Sequence, residues 1–493
     1  MSRINTNVES LIARRTLGQN NASLNQALGR LSTGLRINTG RDDPAGLIAS
    51  ETLRSSMRAI TTAMDNAARA DTIVSVAEGG LQEISALLLE LESLIDETAN
   101  EAGLTEAEVS ANQLQIDSIL QSINRLANAT AFGDKQLLNG NLDFTTSGIN
   151  VDEATGNPLT HLDRVQINAA KVPAGSYRTV NVDVLTPSET ALITMDPAGV
   201  DGGGEPILDG ATTLQIRGNF GAEIISFASG ATAAEMATAI NASTELTGVN
   251  ATASAVGAGA TQLFLQSNEY GDDRFVSVSV LENLTAFSSQ PAEVTDYGAN
   301  GTVTVNGANA IVRGLDVSSR SGALSVDLTL DSSFGGEGNT GNTTFEVTGG
   351  GAVFSISPTV GLSGMESIGI GEVSTAHLGS MGTGFLASLG SGLANDLSSR
   401  NYASAQRIVR AAIDQVASMR GRLGGFQKDT LSTTINALGV ALENVTAAES
   451  AIRDADFASE TSNLTRAQIL VSSSTSVLQL ANATPQNVLS LLA

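Results

Sequence analysis

Cysteine and tryptophan are absent from the 493 residues, histidine occurs twice, and aromatic side chains make up 3% of the chain. Without cysteine there is no disulfide framework and no thiolate metal site. The absence also suits an exported protein, which is spared oxidative cross-linking. Neither His161 nor His377 has a second His or Cys at ligand spacing, and no H-E-x-x-H excludes a zincin site. No G-x-S-x-G supports a serine nucleophile, and Gly202-Gly203-Gly204 lacks the Lys-Ser/Thr of a phosphate loop, so it reads as a turn. Basic residues are scarce too. The 26 Lys and Arg against 51 Asp and Glu leave a net charge of −25, which neither neutralises nucleic-acid phosphates nor seeks an anionic membrane. No run of about 18 apolar residues occurs, so no membrane insertion is expected. Met1–Asn7 shows no charged segment leading into an apolar one, so any export is expected to proceed without a cleaved signal peptide. These absences point away from an enzyme and imply no cofactor and no metal.

What the chain does contain is small and apolar: 41% hydrophobic residues and 50 glycines. From Met1 to about Gly140 the apolar spacing is helical. Ile4, Val8 and Leu11 start one stripe, which Leu24, Leu28, Leu31 and Leu35 continue. Leu53, Met57, Ile60 and Met64 open a second stripe, and Ile73, Val76, Ile84, Leu87, Leu91 and Leu94 form a third. Between the first two, Thr33 to Gly46 carries Gly and Asp-Pro breaks. From about Leu142 to Thr375 the period becomes two, as in Val180/Val182/Val184, Val303/Val305 and Leu324/Val326/Leu328/Leu330, with one helical segment at Ala233–Ala242. Helical spacing returns from about Asp396. Val416, Met419, Leu423 and Phe426 form one stripe; Ile435, Leu438, Leu442, Val445 and Ile452 form the next. The Phe426–Ile435 step breaks register and predicts a stutter. Read as one helix, Asn401 to Ile452 would span roughly 75–80 Å.

The fold class that follows is mainly α at both termini, as long paired coiled-coil-like helices, with a β-rich central insertion in an elongated multidomain chain. A lone helix cannot bury its own stripe, so the two ends are expected to pair with each other and with other copies. The stripes run to both extreme ends, where chains ordinarily fray. Candidate assembly residues are therefore Ile4, Val8, Leu11, Leu24, Leu28, Leu31, Leu35, Leu438, Leu442, Val445, Ile452, Ile469, Leu470, Val488, Leu491 and Leu492. The carboxylates Glu83, Glu90, Glu92, Asp96 and Glu97 read as a solvated helix face rather than a divalent-ion site.

Several motifs, in order at both ends, resemble bacterial flagellins. They are Arg3–Asn7, Arg30-Leu31-Ser32-Thr33-Gly34-Leu35-Arg36-Ile37-Asn38, Asp42-Asp43-Pro44-Ala45-Gly46, Val76–Gly79 and Leu137–Gly140, then Ile452–Glu460, Arg466–Leu470 and Pro485–Leu492. Phe345 to Phe354 resembles the strand pair preceding the family's C-terminal helix, and Leu214 to Leu265 resembles a repeat module inserted in some flagellins and hook-associated proteins.

The resemblance implies an inner coiled-coil segment at 1–44, a helical tube segment at 45–141 and a variable insert at 142–375, with the module at about 212–282. A second tube segment at 376–452 and a second inner segment at 453–493 follow. It implies a self-assembling filament subunit outside the cell, exported unfolded by the flagellar type III apparatus. Implied partners are other copies, an export chaperone at the C-terminal segment, the filament cap and the hook-associated proteins. The related hook–filament junction protein and a surface adhesin-type array protein are the alternatives. One departure stands out. Family members that activate the vertebrate innate flagellin receptor carry an arginine where a gapless alignment puts Glu90, which implies weak or absent receptor activation here.

Overall fold

The computed structural model describes residues 6–100, 103–148, 161–173, 176–200, 206–255, 261–288, 291–380 and 383–492, with side chains up to Thr484. Gly202-Gly203-Gly204 lies outside the described residues. Helix α1, Val8–Thr33, begins where the Asn7 side chain accepts the Ser10 N–H at 3.0 Å. It ends at Gly34, whose φ of 73° and N–H bond to the Arg30 carbonyl make a left-handed C-terminal cap. Helix α2, Pro44–Thr98, starts on a proline, which has no N–H to leave unsatisfied there.

The second and third stripes of the sequence belong to this one 55-residue helix. Gly79-Gly80 does not break it. At Gly80 an added Cβ would lie 2.6–2.9 Å from Thr130 and Leu138, so the missing side chain admits a close packing partner. Helix α3, Glu106–Ala129, is opened by a reciprocal capping box between Thr105 and Glu108. Helix α4, Ala233–Asn241, has the same device in Thr232 and Glu235. Next come α5, Tyr402–Gly425, a π-helical stretch at Phe426–Ser432, and α6, Thr433–Arg453. A π turn accommodates an extra residue per turn, and it falls in the Phe426–Ile435 step where the spacing loses register. Helix α7, Phe457–Leu492, closes the chain.

The chain divides into two compact units. The first, residues 1–69, 355–360 and 431–493, holds α1, the start of α2, α6 and α7. Here Ile60 and Ala63 of α2 pack against Leu438 of α6, with Met64, Leu442 and Val445 around them.

The second unit, residues 70–354 and 361–430, has three cores. A helical core joins Leu81, Ile84, Leu88 and Leu91 of α2 to Ile116 and Ile123 of α3 and to Ile408, Val416 and Leu423 of α5. Ala352, Ile368, Ile370 and Val373 also enter it, although the period-two region extends past them. A second core lies between two antiparallel sheets. One has the strand order Ala308–Asn309, Thr302–Val305, Arg178–Thr186, Gly341–Gly350, Phe144–Ser147; the other, Ile311–Arg313, Asp316–Arg320, Leu324–Leu330, Leu162–Ala170. Val180, Val182, Val326 and Leu328 face inward, as their alternation predicts. The third core packs α4, through Met236 and Ile240, on Leu214 and Ile216 of one sheet and Leu263 and Leu265 of another.

Two expectations change. Gly341–Gly350 pairs with Arg178–Thr186 and Phe144–Ser147, while Ala352–Ser355 joins Met365–Ile368, so Phe345 to Phe354 is not a mutually paired hairpin. Three consecutive glycines with positive φ, Gly349, Gly350 and Gly351, turn the chain between the two sheets. Second, α2 is by length and composition able to cross a membrane, its best 18-residue stretch having a mean hydropathy of 1.3 with 28% of it buried. Alanine and valine raise that average without an unbroken apolar run.

Asp163, at the start of the Leu162–Ala170 strand, faces Asp331. Burial first, then the charge of Asp331, pushes its pKa above the ordinary aspartate value. A raised folded value means that ionisation opposes folding. Stability is complete below the unfolded aspartate pKa and falls as pH rises through the folded one. Asp163→Asn is expected to melt higher than the parent chain at pH ~7 and alike at pH ~3, below the unfolded aspartate pKa, when both are followed by calorimetry.

Candidate assembly surface

The first unit brings the two ends of the chain together. Helices α1 and α7 run antiparallel. The Asn7 side chain donates to the Ala481 carbonyl at 2.8 Å, Asn20 to Ser474 Oγ at 2.6 Å, and Arg30 to Glu460 at 3.0 Å. The buried side chains along this seam are small: Ala13 and Ala27 on α1, Ala467, Ser474 and Ala481 on α7, with Glu460 paired at one end. Each set is spaced seven or fourteen residues apart, so each keeps to one helix face. Small residues let the backbones approach closely, and Leu17, Leu24, Leu31, Leu464 and Leu478 beside them are half-buried.

The turn after α1 is tied to the turn between α6 and α7. The N–H of Arg36 donates to the Arg453 carbonyl at 2.7 Å, its guanidinium to the Ile452 carbonyl at 2.6 Å, and the Ala455 N–H to the Gly34 carbonyl at 2.9 Å. The Asp-Asp-Pro-Ala-Gly motif has a matching local role. Asp42 accepts the N–H and hydroxyl of Thr39 at 2.9 and 3.0 Å and the Asn38 N–H at 3.2 Å. The Thr39 bonds, first among its interactions, hold its pKa below the usual aspartate value. Asp43 accepts the Gly46 N–H at 2.9 Å, and an added Cβ on Gly46 would strike Asp43 and Ile37 at 2.5–2.9 Å.

The candidate residues therefore separate into groups. Leu438 is buried against α2, with Leu442 and Val445 partly buried beside it. Leu24, Leu31, Leu35 and Ile452 are half-buried. Val8, Leu11, Leu28, Ile469 and Leu470 are not brought together, each being 45–63% exposed. Ile4 lies outside the described residues, as do the side chains of Val488, Leu491 and Leu492. Sequence reasoning on large apolar residues missed the small-residue seam, although the seven-residue recurrence of Ala and Ser was its available signal. It also missed Ile12, Phe457, Val477 and Leu480, all exposed on the same helices. Ile12, Leu470, Val477 and Leu480 line an open groove of about 630 Å³ between α1 and α7.

Glu90 is exposed on α2, and the neighbouring Glu92 pairs with Arg410 at 2.8 Å. His161 stacks on Phe334 at 4.4 Å, and His377 lies 3.2 Å from Glu372. Among the described residues no three His, Asp or Glu side chains gather as a metal site.

Two substitutions test the seam. Ala467→Leu forces a large side chain between close helices and is expected to cost about 1–3 kcal/mol. Glu460→Ala leaves the partly buried Arg30 guanidinium without its carboxylate, at about 1–3 kcal/mol. Both are read as earlier loss of helical circular dichroism on heating. Leu11→Ser, on an exposed face, is expected to leave that transition within about 0.5 kcal/mol.

The chain is similar to known proteins at both ends and in its middle. Residues 4–143 match the profile of the bacterial flagellin N-terminal helical region, 407–492 that of the C-terminal helical region, and 213–268 the flagellin hook IN motif. The flagellin of Salmonella rubislaw is 28% identical over 518 residues, covering 99% of each chain. That of Salmonella typhimurium is 28% identical over 507 residues with the same coverage. Polar flagellin F of Vibrio parahaemolyticus is 35% identical over 156 residues, 32% of this chain and 41% of the relative. Among solved structures, the flagellar junction protein FlgL from Legionella pneumophila aligns over 83% of this chain and 100% of its own, at 13% identity and a TM-score of 0.26. The flagellar cap protein FliD from Escherichia coli aligns over 47% and 64%, at 20% identity and a TM-score of 0.26. With helical family regions at both ends and full-length relatives between, the chain belongs to the bacterial flagellins.

Proposed function

We propose that this chain is the structural subunit of the extracellular flagellar filament, polymerising with copies of itself, and that it is not an enzyme. One observation carries the reading: the terminal helices pair through small residues and leave Val8, Leu11, Ile12, Leu28, Ile469, Leu470, Val477 and Leu480 exposed. Burying the exposed half of such a side chain contributes about 1 kcal/mol, so eight of them favour association by several kcal/mol per subunit. An acidic chain that keeps this much apolar surface on its terminal helices gains most when neighbours cover it.

On this reading the terminal helices form the inner wall of the filament and the period-two region faces solvent. The subunit travels unfolded through the flagellar type III apparatus, with a chaperone holding its C-terminal segment. Cap and hook-associated proteins meet the growing and basal ends. Ordering of the termini is then coupled to assembly, since the entropy lost is offset only once neighbours bury the stripes.

Seeding purified monomer with filament fragments is expected to give long helical filaments by electron microscopy. Removing Pro485 to Ala493 is expected to leave soluble monomer that neither nucleates nor elongates. Normal filaments from the shortened chain would overturn the role given to the terminal helices.

Glu90 bears on recognition by a host. A carboxylate replaces the donor that the vertebrate innate flagellin receptor meets in activating relatives, and loss of a buried charged contact costs about 2–5 kcal/mol. Monomer is expected to signal at least a few tens-fold more weakly than an arginine-bearing flagellin in a receptor reporter assay. Glu90→Arg is expected to recover part of that difference, with Glu92 limiting the gain.

A further inference from the structure

An asparagine followed by glycine is prone to lose its side-chain amide, because no Cβ on the next residue shields the backbone nitrogen that attacks it. The chain has three such pairs, Asn139-Gly140, Asn300-Gly301 and Asn306-Gly307, and the fold holds them differently.

Two of the pairs are tied down. Asn139 follows the buried Leu137 and Leu138, donates its side-chain amide to Gln136 and accepts the Asn141 N–H at 3.2 Å. Asn300 accepts the Gly314 N–H at 2.7 Å, and the Gly301 N–H donates to the hydroxyl of Ser188 at 2.9 Å. Ser188 is buried and donates in turn to the Gly314 carbonyl at 2.6 Å. A Cβ on Gly301 would lie 2.6–3.0 Å from backbone atoms of Thr186, Pro187 and Ser188, so this glycine is packed as well as bonded.

Asn306-Gly307 is the open pair. It forms the two-residue turn between Val305 and Ala308, with φ of 52° and 78°, the left-handed values of a type I′ hairpin. Both residues are exposed, and nothing lies within 4 Å of the place where Gly307 would carry a Cβ. Among the described residues the Gly307 N–H has no hydrogen-bond acceptor. The Asn306 side chain is held through its oxygen, which accepts the Asn181 N–H at 2.9 Å, while its amide nitrogen donates to no described residue. The strand beyond the turn, Ala308–Asn309, is two exposed residues at the edge of its sheet, so the turn opens at the loss of few contacts.

We propose that Asn306 is a site of spontaneous conversion to aspartate and isoaspartate in the folded chain, while Asn139 and Asn300 are preserved. When the turn opens, the Gly307 backbone nitrogen gives up its proton to water and attacks Cγ of Asn306. The new N–Cγ bond closes a five-membered succinimide, the Cγ–Nδ2 bond breaks, and Nδ2 leaves as ammonia with the proton. Water then opens the ring. Cleavage at Cγ gives aspartate, and cleavage at the main-chain carbonyl gives isoaspartate, with the backbone rerouted through Cβ and Cγ. Each event adds one negative charge. Aspartate tolerates the left-handed turn and still accepts from Asn181, whereas isoaspartate lengthens a two-residue turn and loosens the Ala308–Asn309 edge.

The test is incubation of the full chain at mildly alkaline pH, followed by trypsin digestion and mass spectrometry. Phe275 to Arg313 contains no internal Lys or Arg, so fragment ions of that one peptide separate Asn300 from Asn306. The amide-to-acid mass gain is expected at Asn306 at least about fivefold faster than at Asn139 or Asn300, the fold-change supplied by one retained hydrogen bond. In the urea-unfolded chain the three rates are expected to agree within about threefold, since the protecting bonds are gone. Ser188→Ala is expected to speed conversion at Asn300 and leave Asn306 unchanged. Asn306→Gln, with matched circular dichroism, is expected to remove the Asn306 signal, because a six-membered ring closes more slowly. Equal rates at the three sites in the folded chain, or conversion first at Asn139 or Asn300, would overturn the assignment. So would the same bias in the unfolded chain, which traces it to flanking sequence, or a folded chain that keeps Asn306 intact while the unfolded one converts. The reaction needs only the folded monomer, so none of these outcomes touches the filament reading.

Discussion

Closure of the two chain ends on each other is the constraint from which most of the first unit follows. Ala13, Asn20 and Ala27 face Ala467, Ser474 and Ala481, small side chains that let the two helices pack closely. Small residues take the fully buried positions of the seam and Leu24, Leu31, Leu464 and Val471 are half-buried, while Val8, Leu11, Ile12, Leu28, Ile469, Leu470, Val477 and Leu480 stay exposed. That division of labour supplies both a paired subunit and an adhesive one. Arg30 and Glu460 fix the register at one end of the seam, and the Asn7 bond to Ala481 fixes it at the other. Polar pins of this kind specify alignment where apolar contact alone tolerates slippage.

The turns between the helices serve the same closure. Gly34 stops α1 and presents its carbonyl to Ala455, while Asp42 and Asp43 shape the return into α2. The family motifs thus encode backbone geometry rather than chemistry. A substitution at Gly46 acts by driving a Cβ into Asp43 and Ile37, with no catalytic group involved. The second unit has its own cores, filled by alternating strand residues and by the capped helix α4.

Polar groups in the second unit meet different demands. Burial works against the charge of Asp327, yet bonds from Asn168 and Ser318, each at 2.7 Å, and from Arg320 outweigh it and hold the pKa below the usual value. Asp143 has fewer donors. Burial dominates there and pushes its pKa up, against the Phe144 N–H and the attraction of Arg422 and Arg164. Arg422, itself desolvated, is displaced downward. The same residue type is thus driven in opposite directions by the number of donors within reach.

Periodicity alone determined the helix–strand–helix order, the break between α1 and α2, and the loss of register that became the π turn at Phe426–Ser432. These are local consequences of apolar spacing and of Gly and Pro, so they are legible residue by residue. The merging of two stripes into one 55-residue helix was less legible, because the Gly79-Gly80 pair reads as a weak point until Thr130 and Leu138 are seen packed against it. Among the candidate assembly residues, spacing picked out apolar positions but not their partners. Leu438 and Val8 carry the same heptad signature, yet one is buried on α2 and the other is half open to solvent. Only the tertiary structure decided which stripes face inward and that alanine and serine fill the terminal seam. Burial depends on which faces meet across more than four hundred residues of chain, and no local pattern records that.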